Sequence, residues 1–184
     1  MTDNTDEIVL IDEAKADPSA FGELYRRYVE RIYNYIYYRT GSVKDAEDLT
    51  GKVFFKAMDH LHGYKHMGLP FSAWLYRIAH NLVANYHRDR AKKREISLDH
   101  IAGTVHSQTH LQPEKRVVHS QEIEELLATI RDLAPNRQEL LILKFIDGLS
   151  NKEIGQIMRK SEGAIKSLYH RTLIELREKM DSDQ

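Results

Sequence analysis

Histidine and aspartate side chains cluster in one short stretch of the sequence. His60, His62 and His66 lie close together, and Asp59 precedes them. Imidazole nitrogens bind zinc and nickel, and three protein ligands plus a water molecule would form an open catalytic metal site. The spacing is unspecific, however, and no partner base accompanies these residues. A histidine metal site is therefore kept as an alternative, which metal analysis of the purified protein would test.

Other catalytic signatures are missing from the sequence. It contains no cysteine, which excludes disulfides and thiolate metal sites. No glycine-rich phosphate loop and no Ser/His/Asp arrangement is identifiable. We therefore predict that the protein is not an enzyme and has no catalytic residue, metal or cofactor.

A second group of residues suits the binding of a polyanion. In the stretch "EGAIKSLYHRTLIELREKM", helical periodicity turns five residues inward: Ile165, Leu168, Tyr169, Thr172 and Leu176. The outward face near the start of this helix carries short and cationic side chains, namely Gly163, Lys166, Ser167, His170 and Arg171. Such side chains can reach the base edges and phosphates of DNA from the major groove.

The residues before this helix predict an abrupt corner. Ser150 and Glu153 have the spacing of a capping box, which starts one short helix. Ser161 is the predicted N-cap of the next helix, and Arg159 lies in a turn that glycine would adopt at lower cost. The pattern favours a helix-turn-helix that binds DNA, and an ordinary corner with a solvated face is the alternative.

Helical periodicity extends over almost the whole chain, and no convincing strand is found. The sequence predicts an all-α fold of two small helical domains joined by a flexible linker, the C-terminal one containing the helix-turn-helix. We predict an acidic tail at 1–17, an N-terminal domain at 18–94, a polar linker at 95–112 and a C-terminal domain at 113–184.

The net charge of −1 hides a strong local asymmetry. Residues 1–20 are acidic, whereas residues 86–94 hold five cationic residues against Asp89. A local basic cluster favours polyanion binding, although it can also be a solvated helix end. The acidic N-terminus does not resemble a targeting signal, and no apolar run approaches the roughly 18 residues of a membrane span. We expect a cytoplasmic protein without membrane insertion.

Three motifs resemble those of one family. "DGLSNKEIGQIMRKSEGAIKSLYHRTLIELR" is similar to the promoter-recognising C-terminal domain of extracytoplasmic-function (ECF) sigma factors. "DAEDLTGKVFFKAM" and "PFSAWLYRIAHNLVANYHRDR" look like their clamp-binding helix and minus-ten-element helix. The resemblance covers roughly residues 18–180 in the family's order. It implies a protein that binds core RNA polymerase, directs it to promoters and helps to open the DNA.

The resemblance also implies site residues. It places the clamp-binding helix at Asp45, Glu47, Asp48, Leu49, Thr50 and Val53. Phe55 is our own addition, because a helical wheel puts this large aromatic residue opposite the buried face and beside Asp48. The alternative for Phe55 is packing against a neighbouring loop.

In the family, the loop before the third helix captures a base flipped out of the minus-ten element. Here the loop contains Tyr64, whose ring can stack on a base, and Lys65, whose charge can bind phosphate. On the third helix, four residues would face or flank this strand, and each could equally be ordinary surface: Arg77, His80, Asn81 and Arg88. The minus-thirty-five duplex would meet Ser161, Gly163, Lys166, Ser167, His170 and Arg171.

Some residues depart from the family's pattern. Relatives often have glutamine and glutamate where this chain has Gly51 and Lys52, aspartate at Asn85 and arginine at Leu168. The promoter sequence therefore cannot be transferred from a relative.

The predicted partners are core RNA polymerase, promoter DNA as duplex and single strand, and an anti-sigma factor wedged between the domains. A free-standing transcriptional regulator is the rival reading. It would bind an operator tightly as a symmetric dimer without polymerase. The inducing signal, the regulon and the inhibitor's identity are not specified by the sequence.

Overall fold

The computed structural model describes residues 4–66, 68–98, 130 and 132–182. Every regular element in these ranges is helical, which confirms the predicted all-α class. The chain divides into an N-terminal and a C-terminal unit. Most of the predicted linker, 99–112, lies outside the described residues, and so does 113–129. Residues 95–98, which we expected in the linker, continue the last helix of the N-terminal unit.

Four helices form the N-terminal unit within residues 4–66 and 68–98: α1 (Asn4–Ala16), α2 (Phe21–Thr40), α3 (Val43–His60) and α4 (Phe71–Leu98). Local capping sets two of the boundaries. Gly41 ends α2 in the left-handed conformation (φ 66°), which costs glycine little. The Ser42 hydroxyl accepts the amide of Asp45 at 3.3 Å and starts α3.

Helices α2, α3 and α4 enclose the core of this unit. The side chains packed between them are almost wholly excluded from solvent, including Leu24, Ile32, Tyr35 and Ile36 of α2, Ala46, Val53 and Ala57 of α3, and Phe71, Leu75, Ala79 and Val83 of α4. Burial of this apolar surface holds the three helices together and fixes which side chains remain outside.

The prediction of an acidic tail at 1–17 is wrong for residues 4–16. This segment is helix α1, which packs on α2 and on the short turn Leu61–Gly63. Ile11 and Ala14 are buried in that contact. The acidic residues Asp12 and Glu13 remain exposed on the outer side of the helix. Apolar burial on one side therefore accounts for an ordered helix in an acidic segment.

Three helices form the C-terminal unit within residues 132–182: α5 (Pro135–Leu141), α6 (Asn151–Met158) and α7 (Glu162–Ser182). A π-helical turn at Ile142–Ile146 continues α5. The core of the unit is formed by Leu140, Leu143, Ile154, Ile157 and Ile165, which are fully buried. An ion pair between Arg137 and Glu175 joins α5 to α7.

No helix in the two described units is long and apolar enough to cross a membrane.

Candidate nucleic-acid and polymerase interfaces

Helices α6 and α7 form the predicted corner. The Ser150 hydroxyl accepts the amide of Glu153 at 3.3 Å, and the Glu153 carboxylate accepts the amide of Ser150 at 2.7 Å, so the capping box is complete. Arg159 has φ 56° and ends α6 in the left-handed conformation. The Lys160 amide then donates to the carbonyl of Gly155 at 2.8 Å. This network closes the turn between the two helices.

The first turns of α7 present the predicted DNA-binding face. Ser161 caps the helix, because its hydroxyl accepts the amide of Ala164 at 3.2 Å. The structure places all six predicted minus-thirty-five residues on the exposed surface: Ser161, Gly163, Lys166, Ser167, His170 and Arg171. The opposite side of α7 is buried through Ile165, Leu168 and Thr172.

Lys166 forms an ion pair with Glu162 at 2.9 Å, one helical turn earlier. The hydrogen bond from Lys166 lowers the pKa of the Glu162 carboxyl. Both side chains are largely exposed, and an exposed pair of this kind contributes little net free energy. The Lys166 ammonium group can therefore leave the Glu162 carboxylate and bind a phosphate oxygen in its place.

The outer face of α3 carries acidic residues and an aromatic ring. Glu47 and Asp48 are exposed, Asp45 is partly exposed, and the Phe55 side chain is 66% exposed. The structure thus has Phe55 on the outer side of the helix, as the helical wheel predicts. A large exposed aromatic ring next to carboxylates is typical of a protein-binding surface.

Three of the predicted polymerase-binding residues do not lie on that face. Leu49 and Thr50 are buried, and Val53 has no exposed surface. Their side chains point toward α2 and α4, because they share the core-facing side of α3 with Ala46 and Ala57. These three residues belong to the predicted clamp-binding helix, and their buried side chains support it from within.

Tyr64 lies in an aromatic cluster and is partly buried. Its ring centroid is 4.9 Å from that of Trp74 and 5.3 Å from that of Phe71. Lys15 of α1 lies over the same ring, 6.0 Å from its centroid. Burial raises the pKa of Tyr64 to about 12, and the charge of Glu7 adds to that shift. The ring packs against these neighbours, and its stacking on a base stays a prediction.

The remaining minus-ten candidates lie on α4 and in the loop before it. Arg77, Asn81 and Arg88 are exposed and project from one side of α4, and His80 is partly buried beside them. Lys65 is exposed in the loop before α4. One side of α4 therefore carries an amide and two cationic groups along its length.

A polar chain between α3 and α4 was not predicted from the sequence. The Tyr86 hydroxyl donates to the Asp45 carboxylate at 2.9 Å, and Arg90 donates to the Tyr86 oxygen at 2.7 Å. Partial burial, followed by the hydrogen bond to Asp45, raises the pKa of Tyr86. Asp45 and Tyr86 are far apart in sequence, so no local pattern signals their contact.

The histidine alternative gains no support from the geometry. Within residues 4–66 and the other described ranges, no three side chains of the ligating types converge in a way that could hold a metal ion. The His60 ring instead forms a 2.9 Å hydrogen bond through Nδ1 with the carbonyl of Lys56.

Comparison with known proteins identifies the family of this chain. The family model of sigma-70 region 2 matches residues 24–93, and that of sigma-70 region 4 matches residues 123–176. The chain is 33% identical over 174 residues to the ECF RNA polymerase sigma factor SigW of Bacillus subtilis, covering 90% of this chain and 91% of SigW. This chain belongs to the ECF sigma factor family. As a sigma factor, it is a transcription initiation factor that acts with RNA polymerase at promoters.

Two further comparisons extend the match. This ECF sigma factor is 36% identical over 173 residues to BldN of Streptomyces coelicolor, covering 94% of its own length and 65% of BldN. It therefore spans about two thirds of the length of that relative. The solved structure of the sigma factor RpoE bound to the anti-sigma factor NepR of Bartonella quintana matches with a TM-score of 0.70 and 21% identity. The structural match covers 89% of this chain and 98% of RpoE, and it shows that the two proteins share a fold.

Proposed function

We propose that this sigma factor binds core RNA polymerase through the outer face of α3, meaning Asp45, Glu47, Asp48 and Phe55. Carboxylates beside an exposed ring provide charge complementarity at the rim and an apolar anchor at the centre. Leu49, Thr50 and Val53 hold this face in place from the core.

The start of α7 reads the minus-thirty-five duplex. The observation that carries this assignment is that Lys166, His170 and Arg171 all project from one exposed side of a helix whose N-terminus is fixed by a closed corner. Cationic side chains there can reach phosphates and base edges in the major groove. The uncapped amides in the first turn add donors for a phosphate.

The face of α4 with Arg77, Asn81 and Arg88, together with Lys65, holds the unpaired minus-ten strand. Cations bind the backbone of a single strand without requiring a particular sequence. The Tyr64 ring packs against Phe71 and Trp74 and remains partly exposed, so it shapes the loop and can also contact a flipped base. His80 lies beside this surface.

Two domains, 18–94 and 113–184, then contact two separate promoter elements, with 95–112 as the connection. An anti-sigma factor that binds both domains would block this arrangement, as the RpoE–NepR complex suggests by its composition. The protein performs no reaction of its own, and it acts in the cell interior where the polymerase is found.

The experiment is run-off transcription with bacterial core polymerase on a promoter library. We expect the wild-type protein to select a set of promoters, and separate Ala substitutions of Lys166, His170 and Arg171 to weaken or shift choice of the upstream element. Arg177→Ala is the matched control, because Arg177 is an exposed arginine farther along α7, 3.7 Å from Asp181. Absence of any affinity for core polymerase would refute the proposal, and tight operator binding by a dimer would favour the free-standing regulator.

A further inference from the structure

Glu7 of α1 caps a helix that begins far away in the sequence. Its Oε2 atom accepts the backbone N–H of Phe71 at 3.2 Å, and its Oε1 atom accepts the hydroxyl of Tyr28. Phe71 is the first residue of α4. The first amides of a helix have no partner within the helix, so a carboxylate there satisfies a donor and complements the helix dipole. Glu7 is itself only 9% exposed.

Phe71 also belongs to the aromatic cluster that shapes the loop before α4. Its ring centroid is 5.3 Å from those of Tyr64 and Trp74, and 5.8 Å from that of Tyr28. Lys15, near the other end of α1, lies over the Tyr64 ring. Helix α1 therefore contacts the loop at two points, through Glu7 at the start of α4 and through Lys15 at Tyr64.

We propose that α1 is a positioning element of the minus-ten site, with Glu7 as its central positioning residue. This inference rests on the proposed function, in which α4 and the loop before it bind the unpaired strand. Glu7 does not touch DNA in this scheme. It fixes the first amide of α4 and, through Tyr28 and Phe71, the arrangement of Tyr64 and Trp74.

Loss of the carboxylate would leave two donors unpaired in a poorly solvated place, the Phe71 amide and the Tyr28 hydroxyl. The loop would then populate arrangements other than the one that binds the strand. The apparent affinity for the strand falls in proportion to the fraction of molecules whose loop has the binding arrangement. Loss of the carboxylate would therefore weaken strand binding specifically. Contacts of α3 with polymerase and of α7 with duplex would be unchanged.

The test uses the full-length protein in complex with core polymerase. Retention of a single-stranded minus-ten oligonucleotide, taken from a promoter that the wild-type protein selects, is compared with retention of the minus-thirty-five duplex. Trp74 is the single tryptophan of the chain, so the fluorescence of the full-length protein without polymerase, measured in parallel, reports the cluster directly. We expect Glu7→Ala to weaken strand retention about tenfold, the size of a lost charge-assisted hydrogen bond. Trp74 emission should shift, and duplex retention should stay within about twofold of wild type.

Conservative variants separate positioning from folding. Glu7→Gln keeps the side-chain length and one acceptor oxygen, and the amide can donate to the Tyr28 oxygen, so we expect strand binding and Trp74 emission close to wild type. Glu7→Asp keeps the charge but withdraws the carboxylate by about one C–C bond, ~1.5 Å, so we expect it to weaken strand retention as Glu7→Ala does. This variant provides the test if Glu7→Ala fails to fold. Glu13→Ala is the matched control, an exposed glutamate on the same helix.

The outcomes are distinct. Normal strand retention by both Glu7→Ala and Glu7→Asp would overturn the inference, as would an equal loss of strand and duplex retention. A strand defect without any change in Trp74 emission would also overturn it. Failure of the wild-type protein to bind the strand would overturn the proposed function itself, and this inference with it.

Discussion

Gly155 lets two backbone segments of the corner approach closely. A Cβ atom built at this position would lie 2.7 Å from the carbonyl oxygen of Lys160. That oxygen belongs to the backbone and cannot turn away like a flexible side chain. The same turn holds Arg159 at φ 56°, which costs a residue with a side chain about 1 kcal/mol. Close approach and left-handed backbone together define the angle of the corner.

Gly155→Ala should therefore destabilise the C-terminal unit. We expect the free energy of unfolding to fall by about 1–3 kcal/mol, because the added methyl group forces the turn apart. Amide hydrogen exchange in α6 and α7 of the full-length protein would measure the change within this unit. Gly163→Ala is the control, since nothing lies within 4 Å of its Cβ position, and its effect should stay within about 0.5 kcal/mol. Equal stability of the two variants would show that the close approach is not needed.

His87 introduces a pH dependence into the N-terminal unit. Partial burial of the ring, followed by the nearby charge of Arg39, lowers the pKa of His87 below the usual 6.5. Its Nε2 atom is 3.0 Å from the carbonyl of Arg39 at the end of α2. The unfolded chain therefore binds a proton more readily than the folded one. The contribution of His87 to the free energy of unfolding is fully present above pH about 6.5, and it is lost as the pH falls toward the folded-state pKa.

We expect His87→Gln to flatten the decrease in melting temperature between pH 7 and pH 5. The effect should be small, because part of the ring remains in contact with solvent. Thermal unfolding of wild type and variant at several pH values would measure it, with His62→Gln as the control for an exposed histidine without a resolved partner contact in the described structure. A wild-type profile that rises toward low pH would contradict the sign of this prediction.

At the scale of elements, α3 has one face buried in the core and the other exposed to solvent. Phe54 and Phe55 are neighbours in sequence, yet Phe54 is 4% exposed and Phe55 is 66% exposed. The Phe54 ring packs against Tyr25 and Phe21, with centroids 4.8 and 6.4 Å away. Two identical side chains thus have opposite environments, which makes them a matched pair for mutation.

Phe54→Ala should lower the free energy of unfolding by about 3–5 kcal/mol, since it leaves a cavity among aromatic rings. Phe55→Ala should change it by less than about 0.5 kcal/mol but weaken binding to core polymerase by about tenfold or more. Thermal unfolding and competition for core polymerase would measure the two effects. Similar destabilisation by both variants would instead mean that Phe55 packs against a neighbouring segment.

The predictability of each helix from sequence depended on how it is buried. Helix α3 packs through one stripe, and its buried residues Ala46, Leu49, Val53 and Ala57 follow the helical period. Helix α4 is packed on a wider face. Tyr76, Ala79 and Val83 are buried in addition to Phe71 and Leu75, whereas Trp74, Ile78, Leu82 and Tyr86 are only partly buried. A single helical stripe cannot represent contacts on two sides.

Helix α1 and its role were missed for a physical reason. Its apolar residues, Ile8 to Ile11, are consecutive and do not repeat with the helical period, and its acidic residues suggested a solvated tail. The contact of Glu7 with Phe71 spans 64 positions, so only the tertiary structure shows it. The exposed side of α7, which we propose faces DNA, was predictable from the sequence because capping residues and a one-sided apolar stripe are local signals.

At the scale of the whole molecule, binding to DNA must occur despite a net charge of −1. Association therefore depends on where the cations are, because each neutralised phosphate releases counterions locally. The exposed residues Lys166, His170 and Arg171 are concentrated at the start of α7, and Arg177 lies farther along the same helix. The salt dependence of the affinity for DNA can thus show how many cationic side chains contact phosphates.

We expect Arg171→Gln to reduce the slope of log affinity against log salt concentration by about one for the minus-thirty-five duplex. Arg177→Gln should leave the slope unchanged, because that side chain lies beyond the proposed contact and near Asp181. Titration of the polymerase complex with labelled duplex at several salt concentrations would measure both slopes. An equal reduction by the two variants would indicate diffuse attraction without a defined contact face.

The close approach at Gly155 has a practical consequence for changing which promoters are chosen. Since backbone atoms and capping groups set the corner, the outward residues of α7 do not hold it together. Positions 163, 166, 167, 170 and 171 can therefore be randomised as a cassette while the scaffold stays folded. A library restricted to these positions is therefore suited to a search for orthogonal variants for synthetic gene circuits.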